Sequence, residues 1–121
     1  EALTMIDMTV KQILPAVINY TGTLSNIVQS LNAVGVSPSV QSDLLRDITS
    51  LLNEANAAVR VLRKMSTEAS GIEDNEDRAH FYHDHVMPAM EDLRAPIDKL
   101  EMLVDKEVWP MPSYGDLIFE V

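Results

Sequence analysis

The stretch "LTMIDMTVKQILPAVINYTGTLSNIVQSL", residues 3–31, decides the fold. Leu3, Ile6, Val10, Ile13, Val17, Tyr20, Leu24, Ile27 and Leu31 follow one another in alternating steps of three and four. That spacing lays apolar side chains along one face of an α-helix. Sustained over about four heptads, it marks a long helix packed in a bundle. Pro15 lies within the stripe. A proline inside a helix removes one backbone donor and clashes with the carbonyl four residues earlier, so a kink is expected there. The stripe holds its phase across Pro15, which favours a kink over a break. Gly35 supplies the left-handed residue that ends helices, and Ser37-Pro38 reads as N-cap and first helical residue of the next.

Two more stripes follow. Leu44, Ile48, Leu51, Ala55, Ala58, Leu62, Met65 and Ala69 form the second, with Leu45, Leu52 and Val59 widening its apolar face. Gly71 ends it, and Glu73, Asp74, Glu76 and Asp77 crowd the next helix start, where the helix dipole favours negative charge. A calcium loop would need alternating ligands and a central glycine, which this acidic run lacks. The third stripe is Ala79, Tyr82, Val86, Ala89, Leu93, Pro96 or Ile97, Leu100, and Leu103 or Val104. One long bent helix containing Pro88 and Pro96 accounts for it, although Pro96 could instead open a fourth helix. The expected architecture is all-α: an elongated antiparallel up-down-up bundle of three kinked helices, about 2–33, 38–70 and 74–107. Each rod would be about 45 Å long, and the bundle would span residues 1–108. Periodicity then stops. Residues 109–121, "WPMPSYGDLIFEV", read as an extended tail whose Trp109, Tyr114, Leu117 and Phe119 must find apolar cover. These four are the interface candidates. They either anchor the chain to a neighbouring domain or plug the end of the bundle.

Composition narrows the function. A chain of 121 residues suits one domain and buries enough surface to fold without a metal or disulfide. It has no cysteine, which removes thiol chemistry and zinc–thiolate sites. A net charge of −10 opposes binding to nucleic acid and to anionic membranes. No apolar run is long enough to span a bilayer, and the first residues do not read as a signal peptide. The chain opens Glu1-Ala2-Leu3 without an initiator Met and enters the helical pattern at once, so it reads as a piece of a longer protein.

Residues 80–90, "HFYHDHVMPAM", hold all three histidines. On a helix His80, His83 and Asp84 share a face, with Glu76 one turn earlier, and imidazole with carboxylate at such spacing can bind a divalent metal. His85 points away, and the two-histidine spacing of metalloproteases is absent. His80, His83 and Asp84 are thus the metal candidates, set against a plain reading of polar side chains on a solvated or interfacial face. No Ser–His–Asp arrangement and no phosphate-binding glycine loop is visible, so no catalytic or cofactor-binding residue is assigned.

Several elements together resemble one family. They are Thr4-Met5-Ile6-Asp7-Met8, Ile13-Leu14-Pro15-Ala16, Val86-x-Pro88-Ala89-Met90-x-x-Leu93-Arg94, Leu100-Glu101-x-Leu103-Val104 and Trp109-Pro110-x-Pro112-x-Tyr114-x-Asp116-Leu117-x-Phe119. They are similar to the C-terminal end of type III glutamine synthetases; the middle helix matches only as a pattern. The resemblance implies a long-chain, bacterial, cytoplasmic parent enzyme that joins ammonia to glutamate using ATP and Mg²⁺ or Mn²⁺, and that assembles as a dodecamer. Its partners would be the parent's catalytic domains and neighbouring subunits. This chain would then be an accessory domain with an assembly role and no active site of its own. The alternatives are a regulatory module that binds a protein or effector, and a metal-binding helical bundle.

Overall fold

The computed structural model describes residues 1–111. Within them the chain is all-helical, and no strand occurs among the described residues. Helix α1 covers Ala2–Met8, a π-helical turn covers Thr9–Ile13, and α2 covers Leu14–Ala33; together they make the first rod. Helix α3, Ser39–Ser70, is the second. The third joins α4, Asn75–Phe81, a second π turn, Tyr82–Val86, and α5, Met87–Leu103.

The two π turns explain how the helices carry their prolines. In an α-helix residue 15 would donate to the carbonyl of Lys11, and residue 88 to that of Asp84. Proline has no N–H and its ring crowds that carbonyl. In each case the residue just before the proline donates five residues back instead: Leu14 N–H to Thr9, and Met87 N–H to Tyr82. The wider turn absorbs the misfit, and both prolines then sit in the first turn of the following α segment, where a missing donor costs nothing. Pro96, by contrast, lies buried inside α5.

The extra residue in the first π turn also corrects the expected stripe. Thr9 and Ile13, four apart, both point inward at 2% and 3% exposure, whereas Val10 faces out at 37%. Before the turn, Ala2 and Ile6 are buried and Leu3 is exposed. Further on, Ile27 faces solvent and Val28 is half-buried in its place. On α3 every stripe position is buried or half-buried. On the third rod Ala79 is exposed, and Val104 rather than Leu103 turns inward.

Both outer rods pack on α3. Among the described residues Ile48 and Leu62 on α3, Leu93 and Leu100 on α5, Val17 on α2 and Val86 on the second π turn are the large side chains that are fully buried, all in one cluster. Burial of each contributes about 1.5–3 kcal/mol. The start of α1 lies beside the end of α3 and the start of α4, while the start of α3 lies beside the end of α5.

Ends and turns follow local chemistry. After α2, the Gly35 N–H donates to Asn32 and the Val36 N–H to Leu31, with Gly35 at φ 77°, so the last carbonyls are satisfied by a left-handed glycine. Helix α3 begins at Ser39 with Pro38 as its N-cap, one residue later than the sequence reading. The Asp74 carboxylate caps α4 by accepting from the Asp77 N–H at 2.9 Å. The third rod stops at Leu103 rather than 107. Val104 is extended, and Asp105 folds the next residues into a turn by accepting the Glu107 N–H at 2.9 Å.

Candidate functional site

Local geometry places the histidines on the solvent side of α4 and the second π turn. Tyr82 is half-buried and Val86 fully buried, and they hold the segment against α3. That orientation leaves His80, His83 and His85 exposed. His80 Nε2 lies 3.8 Å from Glu76 Oε1, one turn earlier. His83 Nδ1 lies 3.1 Å from its neighbour Asp84 Oδ1. His85 stacks on Phe81 with ring centroids 4.6 Å apart. Each histidine therefore has a different partner. Among the described residues no three His, Cys, Asp or Glu side chains come together as a metal would require. Contacts between polar side chains this exposed contribute at most about 1 kcal/mol.

Trp109 is placed inside the chain's own core cluster, at 8% exposure. The turn that follows α5 sets it there: the Trp109 N–H donates to the Asp105 carbonyl at 3.0 Å, and the Val108 N–H to the same oxygen at 2.9 Å. Its indole Nε1 is buried and has no hydrogen-bond partner among the described residues. The other interface candidates, Tyr114, Leu117 and Phe119, lie outside the described residues.

Two concavities were not legible in the sequence, because each joins residues distant along the chain. The larger, about 660 Å³, opens where the start of α1, the end of α3 and the third rod meet. Arg63, Ser66, Arg78 and Tyr82 line it, beside apolar Ala2, Leu3 and Ile6. The Ser66 hydroxyl is buried there without a partner among the described residues. Arg78 is already engaged, donating to the Ile72 carbonyl at 3.2 Å and to the Asn75 side chain. A second groove, about 410 Å³, runs between Leu51 on α3 and Met102 and Leu103 on α5. Glu1 and Asp7 also line the larger, and Asp47, Ser50 and Lys99 the smaller.

The fold and these surfaces define a class: an all-helical unit organised on one long central helix, offering grooves and exposed apolar side chains. No family model matches the chain. Its similarity is to glutamine synthetases. It is 26% identical to one from Bacteroides fragilis (strain YCH46) over 125 residues, covering 98% of this chain and 17% of that protein. A glutamine synthetase from Butyrivibrio fibrisolvens is also 26% identical, over 100% of this chain and 18% of its own length. The type-3 glutamine synthetase of Dictyostelium discoideum is 27% identical over 98% of this chain. The chain thus spans less than a fifth of the length of the relatives it matches.

Proposed function

We propose that this chain is the C-terminal helical accessory region of a glutamine synthetase, arranged as an up-down-up bundle, with a structural role in assembling the enzyme. The observation that carries this reading is that nearly the whole chain aligns with one short stretch of much longer synthetases. The meeting of helix ends described above supports the up-down-up arrangement. On this reading the parent is a bacterial, cytoplasmic glutamate–ammonia ligase using ATP and Mg²⁺ or Mn²⁺, and this region packs on its catalytic domains and on neighbouring subunits. The described residues bring no three metal-ligating groups together. No step of ligation is assigned to them. Among the described residues no helix is long and apolar enough to cross a membrane.

Deleting this region from the full-length synthetase tests the proposal. Particle mass should fall, while dispersed subunits keep their affinity for ATP. A truncated enzyme of full oligomeric size would refute the assembly role. The cavity of about 660 Å³ favours a second reading, a regulatory module binding an effector. In that case Ser66→Ala would change the enzyme's response to effectors and leave particle mass unchanged.

A further inference from the structure

The large cavity at the end of α3 is lined by arginines that have no carboxylate partner among the described residues, although the chain carries a net charge of −10. The Arg63 guanidinium makes neither an ion pair nor a hydrogen bond among these residues. Arg78 donates to neutral groups, the Ile72 carbonyl and the Asn75 side chain. Of the two carboxylates at the cavity, Asp7 lies 3.7 Å from the Lys11 ammonium and Glu1 is exposed. The neighbouring sequence of α3 adds to the imbalance. Residues 55–67 include Arg60, Arg63 and Lys64 and no Asp or Glu. A concavity with such a surplus of positive charge draws in anions.

A buried hydroxyl points to the same kind of guest. Ser66, Thr67 and Ser70 bring hydroxyls to the cavity from α3. Those of Thr67 and Ser70 donate to the Arg63 and Thr67 carbonyls, at 2.9 and 2.8 Å. The Ser66 hydroxyl has no partner among the described residues and is shielded from water. A buried hydroxyl is normally hydrogen-bonded, and leaving it unpaired is costly. Rotation about its Cα–Cβ bond swings it toward a guest that can accept. Ser66 follows Arg63 by three residues, so hydroxyl and guanidinium lie on one face of the helix.

We propose that this cavity binds a small organic carboxylate with an apolar tail. Arg63 pairs with the carboxylate, and Ser66 donates to one of its oxygens. The tail lies on Ala2, Leu3 and Ile6 of α1 and on the Tyr82 ring. Leu3, 72% exposed, gains cover from it. A phosphate dianion suits the site less well. Its two charges call for both arginines, and Arg78 is tied to Ile72 and Asn75. A flat protein surface suits it less well too. It would leave the concavity empty, whereas about 660 Å³ falls within the range of small-ligand sites, about 300–1,000 Å³. The inference rests on the effector reading of this cavity given above, and names the effector's chemical class.

Calorimetric titration of the 121-residue chain with octanoate tests it, with circular dichroism confirming that each variant is folded. Octanoate should bind with a Kd of about 0.1–1 mM. Acetate, which lacks the tail, and octanol, which lacks the charge, should each bind at least about tenfold more weakly. Arg63→Gln should weaken octanoate about tenfold, and Ser66→Ala about threefold to tenfold. Arg46→Gln, near the other end of α3, should leave binding unchanged. No binding up to about 10 mM octanoate would overturn the proposal. So would acetate or octanol bound as tightly as octanoate, or an Arg63→Gln or Ser66→Ala variant that binds octanoate as tightly as wild type. A full-length synthetase that fails to bind octanoate where the 121-residue chain binds it would also overturn it, because the rest of that enzyme then fills the cavity. The effector reading itself fails separately, if Ser66→Ala leaves the enzyme's response to effectors unchanged.

Discussion

Truncating Trp109 separates its two roles, core plug and external anchor. The indole is 8% exposed within the chain's own core. Trp109→Ala should therefore destabilise the isolated chain by about 3–5 kcal/mol, the usual cost of removing a buried aromatic side chain. Total stability for a domain this size is about 5–15 kcal/mol, so the variant stays at least marginally folded. At about 3–6 °C per kcal/mol, its Tm should fall by about 10–30 °C. Trp109→Phe behaves differently, because the indole N–H is buried without a partner among the described residues. Removing it relieves about 1–3 kcal/mol. Losing the smaller part of the ring gives up about 2 kcal/mol of apolar burial. The two nearly cancel, and Trp109→Phe should lie within about 1 kcal/mol of wild type. Urea unfolding followed by circular dichroism measures both variants. A loss below about 1 kcal/mol for Trp109→Ala would show that the side chain is not core and serves an external contact. A Trp109→Phe as unstable as Trp109→Ala would show that the N–H is satisfied.

Three further outcomes follow from local geometry. Gly35→Ala places a Cβ at φ 77° and should cost about 1–2 kcal/mol, read as a lower urea midpoint. Asp74→Ala removes the cap on α4 and should cost about 1 kcal/mol, whereas Asp74→Asn should cost less. The double variant His80→Gln, His83→Gln alters two exposed side chains and should stay within about 0.5 kcal/mol of wild type, with the same heat as wild type on calorimetric titration with zinc. A zinc heat lost in that variant would revive the metal reading.

How far the sequence carried varied with what interrupts it. On α3 nothing breaks the three-and-four spacing between Leu44 and Ala69, and every stripe residue turns inward. In the first rod Pro15 signalled a disturbance but not its form. The π turn inserts one residue ahead of the proline, so Thr9 replaces Val10 on the buried face, and periodicity alone has no mark for that. Helix α5 stops short because Asp105 competes for the backbone beyond it. The apolar stripe carries no sign of that side-chain preference for turns. The cavity around Ser66 draws on three helix ends far apart in sequence and appears only once they pack together. The histidine segment was legible as helix with Tyr82 and Val86 facing in. Which histidine pairs with which carboxylate depended on side-chain positions that spacing leaves open.

The central proposal is that this chain contributes shape to a synthetase rather than chemistry. Native particle mass of the full-length enzyme carrying Leu62→Asp tests it most directly. Leu62 is fully buried on α3, and an unpaired carboxylate there costs several kcal/mol, enough to unfold this region alone. The account predicts smaller particles whose subunits still bind ATP. Particles of unchanged mass around an unfolded region would contradict it.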